Sequence, residues 1–284
     1  MRRLLISCFL LSFLYLSPLQ AQFEVGVLAG LSNYTGDISN QRAWFSAGDF
    51  NAALGAFGRY TFNPWLAARL GFNYTTLSAA DNKTNDGNRL TRNLSFRSRL
   101  YELNLIAEFN ILGYQPYNLK RPWSPYLFAG VAGYYFNPQA QLDGVYYDLQ
   151  PLGTEGPGLE GFDEPYQLTQ LSFPMGGGIK FALNDQWNIA CELGARKTLT
   201  DYVDDVSTDY VADELLLEER GAIAAALANR TGEPVSTGDP RGNPEFKDWY
   251  LIGGITISYN FTDNGLVGSR GRGKRGKKGC PTNF

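Results

Sequence analysis

The chain has 284 residues, of which 44% are hydrophobic, 14% aromatic and 19% charged, and its net charge is −3. The apolar fraction is sufficient for a packed core, which excludes global disorder. The absence of His excludes a Ser-His-Asp or Cys-His nucleophile, an imidazole general base and any His-containing zinc or haem site, while three Cys cannot form a disulfide framework.

The first 21 residues have the pattern of a secretory signal peptide. Arg2 and Arg3 precede an apolar run over residues 4–16, and the small residue Ala21 lies before the expected cleavage point. The alternative is an N-terminal membrane anchor, but the run is too short to span a bilayer as a helix. We therefore expect the mature chain to begin at Gln22 and to be exported.

Eight later segments alternate apolar and polar residues with the period of two that is typical of β-strands. They cover residues 23–32, 50–62, 66–75, 101–111, 127–136, 171–181, 187–196 and 249–261. Long connections at 33–48, 79–93, 138–165 and 198–247 alternate with tight turns at 63–64 and 184–185, and the link at 113–123 is intermediate.

This alternation of long loops and short turns decides the fold class. A secreted β-sandwich is the alternative for an exported aromatic-rich chain, but only an outer-membrane barrel has long loops on one side and short turns on the other. We predict an all-β protein, in which residues 22–261 form an eight-stranded antiparallel transmembrane β-barrel with long extracellular loops. An even strand number places both ends of the barrel in the periplasm.

The predicted inward faces carry balanced charges that can pair with one another in a narrow interior. They are Glu24, Glu102, Glu108 and Glu192, and Arg59, Arg69, Lys180 and Arg196. Four Trp residues at strand ends are expected to form a periplasmic girdle, although they could instead belong to a core. These are Trp65, Trp123, Trp187 and Trp249. Since eight strands enclose a lumen that side chains fill, the barrel is not expected to be a diffusion pore.

The last long loop contains four closely spaced aspartates: Asp201, Asp204, Asp205 and Asp209. They could hold a surface calcium ion, but their spacing is not that of an EF-hand, and aspartates commonly cap free backbone amides in loops. Residues 211–229 are expected to form a short helix, with an N-cap at Ser207, Thr208 or Asp209. No carboxylate pair suggests an enzyme, and neither a cofactor nor a metal is expected.

Six segments of the chain resemble the PorG family of outer-membrane proteins, which belong to the type IX secretion system of Bacteroidota. The segments are YTGD (34–37), RNLSF (92–96), SPYLF (124–128), FNP (136–138), PLGTEG (151–156) and TDYVDDVS (200–207). The segments PLGTEG and TDYVDDVS are the ones most specific to this family. The loop residues that carry the resemblance most clearly are Arg92, Asn93, Pro151, Gly153, Glu155, Asp201, Tyr202, Asp204 and Asp205.

The resemblance implies a non-enzymatic subunit that holds a periplasmic ring, made of a PorK-like lipoprotein and its PorN-like partner, at the outer membrane. The alternative is a stand-alone surface barrel that binds a ligand or a host partner through its long loops. The two functions differ in which side of the membrane the partner occupies.

Residues 262–284 form a basic tail that we expect to be flexible and periplasmic. Its basic residues are Arg270, Arg272, Lys274, Arg275, Lys277 and Lys278, so that this segment carries +5 while residues 22–261 carry −10. An Arg/Gly run can bind RNA, but an exported chain meets little RNA, and no nucleic-acid partner is expected.

Cys280 cannot reach Cys191, which is predicted to face lipid in mid-strand. In the oxidising periplasm we expect Cys280 to form a disulfide with the ring lipoprotein. The alternative is that it remains a free thiol.

Overall fold

The computed structural model describes residues 22–39, 49–84, 86–114, 122–184 and 186–261. The strands of this part are β1 (Gln22–Thr35), β2 (Asn51–Thr61), β3 (Leu66–Ala80), β4 (Ser95–Asn110), β5 (Trp123–Leu142), β6 (Val145–Asp148), β7 (Thr169–Ala182), β8 (Trp187–Thr198) and β9 (Trp249–Asn260). The helices are α1 (Gly87–Arg92), α2 (Leu149–Leu152), α3 (Asp213–Glu219) and α4 (Ala222–Ala228), with a 3-10 turn over Asp81–Lys83. The predicted signal peptide and the basic tail with Cys280 lie outside the described residues.

Eight of these strands form a closed antiparallel barrel, which confirms the predicted fold class. Their order is β4-β3-β2-β1-β9-β8-β7-β5, and β5 pairs with β4 to close the sheet. With β6 left aside, each barrel strand pairs with the next barrel strand along the chain, and β1 pairs with β9. The backbone of Phe261 donates to the carbonyl of Phe23 at 3.1 Å, so both ends of the barrel lie together at the short-turn end.

Several strands continue beyond the predicted segments at the long-loop end. The largest difference is in β5, which extends to Leu142 and turns back into β6 through Asp143 and Gly144, both at positive φ. β6 lies outside the closed barrel and pairs only with this extension. The outward face of the extension carries the polar residues Asn137, Gln139 and Gln141, so the apolar outward face that marks a membrane strand is missing there.

The predicted helix over residues 211–229 is in fact two short helices. Gly221 separates α3 from α4 with φ +89, a conformation that L-residues rarely adopt. The predicted N-cap was wrong, because α3 begins after Ala212, which has no side-chain oxygen to accept a hydrogen bond from the helix. In the described part of the chain no helix is long and apolar enough to cross a membrane.

The barrel presents apolar side chains outward and polar or aromatic ones inward, in the predicted parity. Leu103 and Leu127 on the outer face are 59% and 57% exposed, whereas Phe128, adjacent to Leu127, is 4% exposed in the lumen. The glycines at 176 and 194 make room for that ring, since a Cβ added there would lie 2.7 and 2.6 Å from it. An apolar belt exposed to this extent requires a nonpolar surrounding medium.

Exposed aromatic residues lie at both edges of this apolar belt. On β4, Tyr101 marks one edge and Phe109 the other, about 20 Å apart along the barrel axis for strands of this rise and tilt. Trp65, Trp123 and Trp187 lie at the short-turn end, as expected, and are 46, 46 and 44% exposed. The prediction for Trp249 was wrong. It begins β9 opposite Thr35, at the end of the barrel from which the long loops leave.

Candidate functional site

The lower lumen, towards the short turns, contains an ion-pair network centred on Glu108. Arg59 Nε lies 2.9 Å from its Oε2, Arg69 Nε lies 3.2 Å from its Oε1, and Lys180 Nζ donates to Oε2. Three cations therefore surround one buried anion. Glu24 pairs with Arg59, and Glu192 Oε2 accepts from Arg69 Nη1 at 2.7 Å. Two further carboxylates thus balance the charge, and all eight predicted lumen residues are buried.

The upper lumen has a second, smaller network around Glu102. Arg196 Nε lies 3.3 Å from Glu102 Oε2, and the Tyr250 hydroxyl donates to the same oxygen at 2.6 Å. Asn73 and Asn104 donate to Glu102 Oε1 at 2.7 and 2.8 Å. Sequence reasoning identified the ions but missed these neutral partners, because the strand period gives the face of a residue and not its contacts.

Side chains occupy most of the lumen in the part of the barrel that the structure describes. A cavity of about 10 Å³ lies beside Arg69, Asn73 and Glu192, which is about the size of one water molecule. Tyr126 and Phe128 fill much of the remaining interior, and the Tyr126 hydroxyl donates to Glu192 at 2.5 Å. The described part of the barrel is therefore a filled scaffold.

Above the barrel, Arg241 and Glu155 form a buried ion pair between two long loops. Arg241 Nη1 donates to Glu155 Oε1 at 2.8 Å and to the carbonyl of Asp205 at 2.7 Å. Glu155 also accepts from the backbone amides of Ser207 and Thr208 at 3.0 and 3.1 Å. Ser207 and Thr208, which we expected to cap a helix, are instead held by this carboxylate.

A second contact joins the remaining loops to the same structure through Arg92. Its guanidinium donates to both carboxylate oxygens of Asp81 at 2.8 Å, and to the carbonyls of Asp37 and Arg241 at 2.8 and 2.5 Å. A planar guanidinium suits such multiple recognition because its donors have a fixed geometry. Asn93, the next residue, ends α1 in the left-handed conformation with φ 52.

Of the four predicted aspartates, Asp204 accepts hydrogen bonds from backbone amides, as the capping interpretation expects, whereas Asp201 and Asp205 accept from side-chain hydroxyls. Asp204 accepts from the amides of Ile38 and Val206 at 3.1 and 3.0 Å. Asp248 accepts from the Tyr34 hydroxyl at 2.5 Å and from the Val203 amide at 2.8 Å. Burial raises the pKa of both carboxyl groups well above the usual range, helped by the charge of Asp37 at Asp204 and by that of Asp204 at Asp248. Within the described residues, no group of carboxylates and Cys is arranged to hold a metal ion.

Asp205 and its neighbours in the PLGTEG segment complete the loop assembly. Asp205, at φ 67, accepts from the Thr154 hydroxyl at 2.5 Å and from the Tyr166 hydroxyl at 2.6 Å. Burial raises the pKa of Asp205 to about 6. Gly153 ends α2 at φ 60, while Pro151 is exposed within α2 and does not take part. The structure thus brings most of the predicted loop residues together, but not Pro151.

Asp201 makes the loop assembly sensitive to pH. The residue is 2% exposed, its Oδ2 accepts from the Ser207 hydroxyl at 2.9 Å, and no described group bonds to its Oδ1. Burial, with the nearby charges of Asp37 and Glu155, raises the pKa of Asp201 to about 7. Since an unfolded Asp has a pKa of about 3.9, its stabilising contribution is full below about pH 4 and is lost as the pH rises to about 7.

We therefore expect Asp201→Asn, which resembles the neutral acid, to stabilise the last loop at pH 8 by roughly 1–3 kcal/mol. Hydrogen exchange of backbone amides in residues 199–212, corrected for intrinsic rates at pH 5.5 and pH 8, measures this. Wild type should lose protection between the two pH values more than the variant. Glu245→Gln, at an exposed position, is the control. An equal loss in wild type and Asp201→Asn would contradict the assignment.

A pocket of about 230 Å³ opens beside this loop assembly. Its walls come from the third and fourth long loops and include Glu155, Phe162, Asp163, Glu164, Tyr166, Tyr202, Asp205, Asp209 and Tyr210. Sequence reasoning selected Glu155, Tyr202 and Asp205 for their family pattern but did not predict a cavity. The two loops meet only in the folded chain, so no local signal could have revealed it.

A closed antiparallel barrel with a filled charged lumen, an apolar outer belt and aromatic residues at both edges is the architecture of a transmembrane β-barrel. Within this class, the chain belongs to the family described as a domain of unknown function (DUF6089), whose model matches residues 2–215. A comparison with curated proteins gives no significant match.

Among solved structures, the chain is similar to several outer-membrane barrels. The N-terminal β-barrel domain of Pseudomonas aeruginosa OprF has 12% identity and a TM-score of 0.35, over 85% of this chain and 99% of that one. A major outer membrane protein from Thermus thermophilus has 15% identity and a TM-score of 0.37, over 85% and 99%. The Yersinia pestis attachment invasion locus protein Ail has 10% identity and a TM-score of 0.36, over 85% and 97%.

Proposed function

We propose that this protein is a non-enzymatic outer-membrane subunit of a type IX secretion machinery, and that it anchors a PorK/PorN-like periplasmic ring to the membrane. The observation that carries the proposal is the arrangement of the PorG-like segments. Five of the six meet in one interlocked assembly at the long-loop end, and the remaining one, residues 124–128, lies in the barrel wall with Tyr126 and Phe128 in the lumen.

Some contacts within this assembly join segments that are far apart in the sequence. Tyr34 bonds to Asp248, 214 residues away, and its ring lies 4.8 Å from that of Phe96. The Phe136 ring stacks on Tyr166 at 6.2 Å. With the Glu155 and Arg92 contacts described above, these bonds connect all four long loops. We call this interlocked assembly of the four long loops the loop cap. A loop cap over a filled barrel suits a scaffold better than a pore or a catalyst.

The outer surface of the barrel supports a location in the outer membrane. Its apolar belt is bounded by aromatic residues, and the outward-facing cations Arg99 and Lys197 lie beyond the Tyr101 edge of this belt. Phe23 and Phe261 lie side by side at the short-turn end. If short turns face the periplasm, as in outer-membrane barrels, the chain enters and leaves the barrel on that side. The tail from residue 262 would then begin in the periplasm.

The tail carries the groups that can bind the proposed periplasmic partner. Its six basic residues can contact an acidic protein surface, and Cys280 can form a disulfide with the ring lipoprotein in the oxidising periplasm. The described ionisable groups support a non-catalytic role, because the lumen carboxylates are buried in ion pairs and the sequence has no His.

Two tail variants test the proposal. We expect cells that carry a deletion of residues 268–284 to lose the crosslinked ring complex and to secrete several-fold less type IX cargo. We expect Cys280→Ser to lose a reducible high-mass adduct on non-reducing gels of intact cells. The matched control is a tail in which the six basic residues are Gln and Cys280 is kept, which separates charge from the disulfide.

The anchoring role is rejected if the tail deletion keeps the ring complex and normal secretion while the barrel remains folded at the cell surface. The disulfide alone is rejected if the Cys280→Ser band pattern is identical to that of wild type.

A second candidate function is a stand-alone surface barrel that binds a ligand through its loops. The observation that favours it is the pocket of about 230 Å³ between the third and fourth long loops. Such a protein should keep its ligand after deletion of residues 268–284, whereas an anchor should lose its partner.

A further inference from the structure

The loop pocket combines aromatic walls with carboxylates at its opening. At about 230 Å³ it is smaller than the roughly 300–1,000 Å³ of pockets that enclose drug-sized ligands, so it suits a group of the size of one side chain. The chemistry of its lining indicates which kind of group that is.

One wall of the pocket is the end of a three-ring stack. The Tyr166 ring lies between Phe136, at 6.2 Å and 9°, and Tyr202, at 4.7 Å and 10°. Tyr166 therefore has a ring on both faces, while among the described residues Tyr202 has one only on its Tyr166 face. Tyr202 is half-buried and lines the pocket, and no cation of the described chain lies over its ring. Such a face attracts a cation through the quadrupole of the ring.

The opening of the pocket is acidic. Asp163, Glu164 and Asp209 are exposed, line the pocket, and make no ion pair within the described residues. The buried cation beside it, Arg241, is neutralised by Glu155. The charge presented to a ligand is therefore negative, and it agrees in sign with the charge of −10 over residues 22–261.

A third feature is an unused hydrogen-bonding group. Tyr210 lines the same pocket and is 5% exposed, and its hydroxyl has no hydrogen-bond partner among the described residues. Buried hydroxyls are nearly always bonded. This oxygen has almost no accessible surface, so a ligand atom reaches it only after a small movement of the pocket wall. The hydroxyl oxygen can accept from an ammonium or a guanidinium group.

We infer that this pocket binds a guanidinium or ammonium group, such as an Arg or Lys side chain of another polypeptide, with the cation over Tyr202 and the carboxylates of Asp163 and Asp209 around it. This binding gives a ligand class to the loop-binding alternative and does not require the periplasmic anchoring role. Failure of either can be recognised separately, because the tail variants leave the pocket unchanged.

The test is calorimetric titration of the purified, folded, full-length mature protein in detergent. The probe is acetyl-Gly-Arg-Gly-amide, and the matched control probe carries citrulline, which has nearly the same shape without the charge. We expect saturable binding of the Arg peptide that weakens as ionic strength rises, and at least tenfold weaker binding of the citrulline peptide. Spermidine and choline, titrated in parallel, distinguish a small amine from a polypeptide as the source of the cation.

Three variants assign the binding to the pocket. Tyr202→Leu should weaken the Arg peptide at least tenfold, whereas Tyr202→Phe, which keeps the ring, should bind as wild type does. Asp163→Asn with Asp209→Asn, both at exposed positions, should weaken it several-fold. The inference is overturned if no cation binds, if citrulline binds equally well, or if all variants bind like wild type.

Discussion

Replacement of Glu108 by Ala is expected to destabilise the barrel by about 3–5 kcal/mol. The substitution leaves Arg59, Arg69 and Lys180 around a site from which the shared anion has been removed. The side chain of Glu108 is fully buried, so water cannot replace the carboxylate at low cost. Equilibrium unfolding in urea, followed by Trp fluorescence in lipid vesicles, measures the loss.

A second substitution separates charge imbalance from loss of volume. We expect Glu108→Gln to destabilise the barrel nearly as much as Ala, and Glu108→Gln combined with Lys180→Met to recover part of the loss, because one uncompensated cation is then removed. Glu160→Ala, at an exposed loop position, should change the unfolding free energy by less than about 0.5 kcal/mol. Strictly additive effects of the two lumen substitutions would contradict the network.

Replacement of Arg241 by Met should open the loop cap while leaving the barrel folded. The variant leaves Glu155 buried without its cation and removes the hydrogen bond to the carbonyl of Asp205. Loss of one partner of a buried pair costs about 3–5 kcal/mol, so amide exchange in residues 199–212 should become at least about 100-fold faster. Exchange in the strands should not change.

Arg230→Met is the matched control for the loop cap. Arg230 donates to the Gln141 carbonyl and the Ser95 hydroxyl, but it has no carboxylate partner among the described residues. In this variant we expect at most a few-fold increase in the amide exchange of residues 199–212. Glu155→Gln together with Arg241→Met should restore much of the protection that Arg241→Met alone removes. A global loss of barrel stability in Arg241→Met would show that cap and barrel unfold as one unit, contrary to this expectation.

The barrel could be predicted from the sequence because a strand in a membrane wall has two different environments. Leu103 and Leu105 face outward and Glu102 faces inward for one local reason, the period of two along the strand. The same rule placed all eight lumen charges. It was less informative beyond the apolar belt, where the outward face of the β5 extension is polar and β6 is largely exposed, which is why both were missed.

The position of Trp249 shows a different limit of the same reasoning. A Trp at the start of a strand can lie at either end of the barrel, and the side depends on whether a short turn or a long loop precedes it. The connection before Trp249 runs from residue 199 to residue 248, so this strand starts at the long-loop end. The connection length was visible in the sequence and was sufficient for the correct assignment.

Local patterns along the chain determined the strand number, the parity of each strand, the side of the long loops and the identity of the lumen charges. Only the tertiary structure decided which of those charges meet, because the partners of Glu108 depend on the register around a closed barrel. It also decided that Glu155 bonds to Arg241, 86 residues away, and that Tyr202 borders a cavity. Periodicity gives the face on which a side chain lies, whereas contacts between distant loops arise only when the whole chain is folded.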